Sequence, residues 1–277
     1  MSEALLEVEN LTVVYRGRRR RAPQPALQNI SLRLHAGETL GIVGESGSGK
    51  STLGKAVLGL VPIVEGAIRW RGRDITSVAP RERRVLSREI QAIFQDPYSS
   101  LNPHRTVGQS VLETLAASNE ERSSNARSRA VSVLQHVGLD ASAMERYPRQ
   151  FSGGQRQRIA IARALLPDPT LIICDEVVSA LDLSVQAQVI NLLTDLQAEH
   201  GLSYLFITHD LSVVRHLCQR TIVLRHGRLV ESGETAQVLD HPTDPYTERL
   251  VLAAPALDPD RQRERRLARR AAAMATN

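Results

Sequence analysis

Leu27, Ile30, Leu32 and Leu34 in ALQNISLRL fall close to every second position, the period of a strand with one covered face. LLEVENLTVVY alternates less regularly and predicts another strand before it. The intervening RGRRRRAPQP is polar with two prolines and reads as a loop. AGETLGIVG predicts a turn and a short apolar strand; a Gly/Ser loop follows, then KSTLGKAVLGL with helical spacing. Residues 66–75 predict a hairpin turning near Gly72. Residues 106–146 change character, with helical patterns in VGQSVLETLAA and ARSRAVSVLQHVGL split by polar SNEERSSN, and predict a helical insertion.

From about residue 157 the periods alternate: RQRIAIARALL helix, TLIICDE strand, VQAQVINLLTDLQAEHG long helix ending at a glycine, SYLFITHD strand, LSVVRHLCQ helix, TIVLRHGRLVESG hairpin. Strands alternating with helices of about ten or more residues predict an α/β fold, a parallel sheet covered by helices. No internal repeat is present. The arginine- and alanine-rich segment from Pro255 onward predicts a poorly packed tail.

Composition narrows the class. The 277 residues are 42% hydrophobic and 23% charged, ordinary for a globular protein with a buried core. No apolar run approaches the length of a transmembrane helix, and the acidic start MSEALLEVEN lacks the basic, then apolar, pattern of a signal peptide, so a cytoplasmic location is expected. Cys174 and Cys218 form no ligand or disulfide framework and read as small buried hydrophobes. Net charge is +5, concentrated in arginine runs at Arg16–Arg21, Arg81–Arg84 and Arg261–Arg270. Such runs serve nucleic acid, anionic lipid or acidic protein, or are simply solvated; with no interleaved aromatics, no nucleic-acid partner is expected.

The chemistry begins at Gly44, Glu45, Ser46, Gly47, Ser48, Gly49, Lys50 and Ser51, which fit G-x-x-x-x-G-K-[ST] between a strand and a helix, with Thr52 next. The glycines turn backbone N–H groups toward phosphate oxygens, and the helix N-terminus adds a favourable dipole. Lys50 is the candidate contact for the β- and γ-phosphates, Ser51 the candidate Mg²⁺ ligand. A nucleotide with Mg²⁺ explains two acids that directly follow apolar LIIC: Asp175 at a strand end can hold Mg²⁺ through water, and Glu176 can orient and deprotonate an attacking water. Asp182 also reads simply as a helix cap.

FSGGQRQRIAIARAL supplies another candidate phosphate-binding helix start. Ser152 is a good N-cap, and Gly153 and Gly154 permit close backbone approach. Two such ends but one lysine-bearing loop suggest that this one serves a nucleotide held by another copy. FSGGQ, Phe151 to Gln155, resembles the LSGGQ signature of ATP-binding-cassette (ABC) ATPases, with Phe151 for the leading leucine. The other elements follow in order, and the likeness covers roughly residues 5–255. Tyr15 fits the aromatic that stacks on adenine, and Gln95 in IFQDP the glutamine loop that senses Mg²⁺ and couples to a membrane partner. SALD, Ser179 to Asp182, fits the dimer-contact loop, and His209 in FITHD the switch histidine.

The resemblance implies a RecA-like P-loop NTPase core, an antiparallel β subdomain and a helical subdomain inserted at about 97–163, within a domain over 1–255 followed by a basic tail over 256–277. It implies ATP and Mg²⁺ as cofactors and a head-to-tail dimer. In that dimer Ser152 and Gly154 of one subunit meet the γ-phosphate on the other, and His209 contacts the γ-phosphate and positions the water. FQDPYSSLNPHRTVGQ, VQAQVINLLTDLQ and HPTDPYTERLV are similar to ATPases of oligopeptide, dipeptide and nickel importers, closest to the second ATPase of such systems. The implied partners are a second ABC ATPase subunit, two permease subunits and, indirectly, an extracytoplasmic substrate-binding protein, with the chain peripheral on the cytoplasmic side of the membrane. The cysteine-bearing extension of longer members is absent, so no iron–sulfur site is carried over.

The face for a permease coupling helix is expected around Tyr98, Leu101 and Pro103; these residues could instead only pack the insertion onto the core, and a mixed role is expected. Alternatives are an ABC ATPase of a soluble complex, such as phosphonate degradation, a DNA-associated ABC ATPase, and a non-hydrolysing binding module. Family members usually carry proline after the glutamate; here the residue is Val177.

Overall fold

The computed structural model describes residues 4–15, 25–95, 101–118, 120 and 123–254. The first and third arginine runs, Tyr98 and the tail from Pro255 lie outside them.

Two sheets organise the chain. β1 (Ala4–Val14), β2 (Pro25–His35), β4 (Glu65–Trp70) and β5 (Arg73–Asp74) form an antiparallel sheet in the order β2-β1-β4-β5. The imperfect alternation of β1 has a backbone cause: its register with β2 shifts between Val8 and Leu11, where Asn10 takes a positive φ of 48°. β3 (Thr39–Val43), β6 (Ile90–Ile93), β7 (Leu171–Asp175), β8 (Ser203–Ile207), β9 (Arg220–Arg225) and β10 (Arg228–Glu234) form the larger sheet, ordered β10-β9-β3-β8-β7-β6. Its pairings are parallel except for the β9–β10 hairpin.

Every residue of β3, β7 and β8 is buried, because this sheet is covered on both faces. Alternate residues of one strand enter different cores. Ile172, Cys174, Tyr204 and Phe206 join the core on the helical side, while Leu171, Ile173, Leu205 and Ile207 join the core beneath the antiparallel sheet. Both cysteines are buried free thiols whose burial raises their pKa, that of Cys218 to about 12.

α1 (Lys50–Val57) and α2 (Pro80–Glu89) contribute Leu53, Val57 and Leu86 to the core beneath the antiparallel sheet. α2 was not legible from periodicity. It begins at a proline in its first turn and buries Leu86 alone, so its arginine-rich sequence shows no apolar stripe. The Arg81–Arg84 run lies on this helix, where Arg83 donates to Ile75 O at 2.7 Å.

α3 (Val107–Leu112), α4 (Ala126–His136) and α5 (Gly153–Leu165) lie between β6 and β7 in the chain. The predicted helix over VGQSVLETLAA is α only to Leu112 and continues as a 3₁₀ turn over Glu113–Ser118. Leu101 is 2% exposed and belongs to the core of this region, the packing part of its expected mixed role. Pro103 is exposed. α6 (Leu183–His200) ends at Gly201 in left-handed geometry, and α7 (Leu211–Leu217), α8 (Thr235–Asp240) and α9 (Pro245–Ala253) complete the helical side.

Candidate functional site

The phosphate-type loop joins β3 to α1 at the carboxyl end of the parallel strands, where open α/β sheets bind ligands. Gly44 has φ 147°, and a Cβ there would lie 2.2 Å from Leu224 O, so no other residue fits without moving the neighbouring strand. Lys50 folds back over the loop and donates from Nζ to Gly44 O at 2.8 Å and Glu45 O at 2.9 Å. Burial pulls its pKa below the ordinary lysine value, opposed by the nearby carboxylates of Glu176, Asp175 and Glu45.

The two acids diverge in their surroundings. Asp175 is the last residue of β7 and is 8% exposed; its Oδ1 accepts from Ser51 Oγ at 2.8 Å. Burial pushes the Asp175 carboxyl above its usual range, reinforced by Glu176 and opposed by the Ser51 hydrogen bond. A buried carboxylate beside a hydroxyl is a hard-oxygen pair that suits Mg²⁺, so the residues present fit that ion.

Glu176 sits one residue past the strand with φ 51°, a left-handed conformation that few non-glycine residues adopt. Its N–H donates to Ile207 O at 2.9 Å, and its carbonyl accepts from Ser179 N and Ser179 Oγ. The strand end therefore turns, and the adjacent carboxylates meet different partners. Gln95 Nε2 donates to Glu176 Oε2 at 2.7 Å, and His209 Nδ1 lies 3.5 Å from Glu176 Oε1.

A cavity of about 830 Å³ opens over the loop, lined by Tyr15, Ser46, Gly47, Gly49, Lys50, Ser51, Thr52, Gln95 and Glu176. Tyr15 is 44% exposed at its edge, with its hydroxyl 3.4 Å from Thr52 Oγ1. The lining also includes Pro25, Ala26, Gln28, His226 and Gly227, which carry no motif. They arrive because the β9–β10 turn docks on the loop: Gly227 N donates to Ser48 O at 2.9 Å, and Gln28 N to Gly227 O at 2.7 Å. No local sequence signal marks a contact made by main-chain atoms.

Ser152, Gly153, Gly154 and Gln155 do not line this cavity. Ser152 caps α5 in a reciprocal box: Gln155 N donates to Ser152 Oγ at 3.3 Å, and Ser152 N to Gln155 Oε1 at 3.0 Å. A Cβ on Gly154 would lie 2.4 Å from Val185 Cγ1, so glycine lets α5 start against α6. Asp182 caps α6, accepting from Val185 N at 3.0 Å and Ser184 Oγ at 2.7 Å. Its local role in this chain is the cap.

A lysine-bearing phosphate loop, a Ser–Asp pair beside it and a carboxylate held between glutamine and histidine define a nucleotide-hydrolysing cassette of the P-loop type. Residues 27–179 match the ABC transporter family. The chain is 48% identical to the oligopeptide transport ATP-binding protein OppF of Salmonella typhimurium over 243 residues, 87% of this chain and 73% of that protein. It is also 48% identical to the dipeptide transport ATP-binding protein DppF of Escherichia coli over 240 residues, 87% and 72% of the two chains. Among solved structures, a dimeric post-hydrolysis state of the ATP-binding cassette MJ0796 bound to ADP and Pi is similar, with TM-score 0.74 and 30% identity over 83% of this chain and 98% of that one. The chain therefore belongs to the ABC transporter family and is one of its ATPase cassettes.

Proposed function

We propose that this chain hydrolyses ATP to drive an importer of di- or oligopeptides or a chemically related small cargo, as a peripheral subunit on the cytoplasmic side of the membrane. The observation that carries the catalytic part is Glu176, held between Gln95 and His209 beside the phosphate loop. The importer part rests on the likeness to OppF and DppF, whose names specify oligopeptide and dipeptide transport. Among the described residues no helix is long and apolar enough to cross a membrane, so partner subunits would provide the path.

In this mechanism Lys50 and the loop amides bind the β- and γ-phosphates, and Tyr15 stacks on adenine. Ser51 and Asp175, with Gln95 nearby, would hold Mg²⁺, which supplies charge neutralisation on the phosphates. Glu176 orients a water and accepts its proton as the water oxygen bonds to the γ-phosphorus. The bond from that phosphorus to the bridging oxygen breaks, leaving ADP and phosphate. His209 aligns the water and the γ-phosphate. Ser152 and Gly154, at the capped start of α5, act on the nucleotide of a second subunit. We assign residues 1–255 to the cassette, with the helical subdomain at about 97–163, and the remainder to a basic tail.

Glu176→Gln keeps the side-chain shape and removes the base. Steady-state hydrolysis is expected to fall by roughly 10²–10⁴-fold, with ATP binding retained and a dimer trapped on size-exclusion chromatography. Turnover at the parent rate would overturn the assignment of Glu176.

A further inference from the structure

The family match ends at residue 179, yet the phosphate loop is tied to a side chain far beyond it. Glu45 N–H, at the second position of the loop, donates to Tyr246 Oη at 3.0 Å. Tyr246 is 4% exposed, and the Arg225 guanidinium lies 5.0 Å from its ring centroid. Its backbone is fixed as well. Tyr246 N–H donates to Asp244 Oδ1 at 2.7 Å, Asp244 caps α9, and Pro245 occupies the first turn. The Glu231 carboxylate on β10 grips the same approach, accepting from Thr243 N at 2.8 Å, Thr243 Oγ1 at 2.9 Å and Asp244 N at 3.1 Å. Burial raises the phenol pKa above its ordinary value.

The other side of the same loop residue is also occupied, since Glu45 O accepts from Lys50 Nζ at 2.9 Å. Tyr246 thus fixes the amide of the residue whose carbonyl holds the phosphate-binding ammonium. We infer that Tyr246 is a positioning residue for nucleotide binding, setting the Glu45 peptide, and through it Lys50, in the geometry that receives the phosphates. Tyr246 does not line the cavity over the loop. The inference rests on the loop being the ATP site.

The test uses the full chain with MgATP, measuring nucleotide Kd and steady-state kinetics. Tyr246→Phe removes one oxygen and keeps the ring. Kd and KM are expected to rise roughly three- to tenfold, the weight of one neutral hydrogen bond, while kcat stays within about twofold. Asp244→Ala loosens the start of α9 and is expected to move Kd in the same direction. Combined with Tyr246→Phe it should give less than the product of the two separate factors. A lowered melting temperature with unchanged Kd in Tyr246→Phe would reduce the phenol to a structural bond and overturn the inference; multiplicative effects in the double variant would do the same. Lys50→Ala separates this failure from that of the underlying site. Loss of ATP binding in Lys50→Ala upholds the loop whatever Tyr246→Phe does, whereas retained binding sinks both.

Discussion

Asp175 shows the conflict between stability and chemistry in one side chain. A carboxylate 8% exposed and beside Glu176 is disfavoured as an anion, and its folded-state pKa lies above its unfolded value. The native state then holds the proton more tightly, so this group costs stability as pH rises from the unfolded pKa through the folded one. Asp175→Asn keeps an acceptor for Ser51 and removes the charge. Without nucleotide or divalent cation, the variant is expected to melt higher than the parent near neutral pH, with the gap closing as the pH falls and Asp175 protonates. On the proposed mechanism, hydrolysis should fall by about 10²-fold or more because the carboxylate assigned to Mg²⁺ is lost. A calorimetric pH series beside an activity assay checks both. The neighbouring Val177 is 1% exposed, and no hydrogen bond from its amide is present among the described residues. The proline usual in the family would lose nothing there, and valine leaves the strand end intact.

Elements meet closely where α5 starts against α6. A methyl on Gly154 would sit 2.4 Å from Val185 Cγ1, and valine has little rotamer freedom on a helix. Gly154→Ala adds helix propensity worth about 1 kcal/mol, against an overpacking cost of about 1–3 kcal/mol. The net expectation in urea unfolding is a loss of stability, which reverses to a gain in a Val185→Ala background because the clash partner is gone. Equal effects in both backgrounds would mean that the two helix starts are not in contact.

Among the described residues, a groove suited to a partner crosses several elements. A cavity of about 440 Å³ lies between α1, α2, β6 and α3, lined by Leu58, Leu60, Leu86, Phe94, Thr114 and others. Leu60 is 62% exposed and Phe94 37%, and Val85 nearby on α2 is 63% exposed. Phe94 directly precedes Gln95, which donates to Glu176, so a partner in this groove would bear on the carboxylate proposed as the base. On the proposed importer reading, Phe94→Glu is expected to leave the isolated chain's ATPase within about twofold while abolishing co-purification with the proposed permease subunits and transport in membranes. Undiminished transport would move the docking face elsewhere.

How much of this was readable in the residues follows from what each feature depends on. The phosphate loop, the acids after LIIC and the cap at Ser152 are local: a turn needing glycine, a carboxylate ending an apolar strand, a hydroxyl before a helix. Their chemistry is carried by neighbours in the chain, so the sequence alone determined them, along with the α/β class read from two hydrophobic periods. Other features required distant segments to meet. The left-handed turn at Glu176 is held by β8. Gln28 and Gly227 reach the cavity through main-chain bonds. Tyr246 reaches the loop from α9, and Leu101, apolar enough for a surface groove, is drawn into the helical core. α2 carries no apolar period because its polar sequence buries only Leu86. The sequence by itself determined which groups can bind phosphate and take a proton, because those are properties of residue type and short spacing. Tertiary structure alone decided which of them share a cavity and what holds them still, because that depends on strand order and on backbone bonds between residues far apart in the chain.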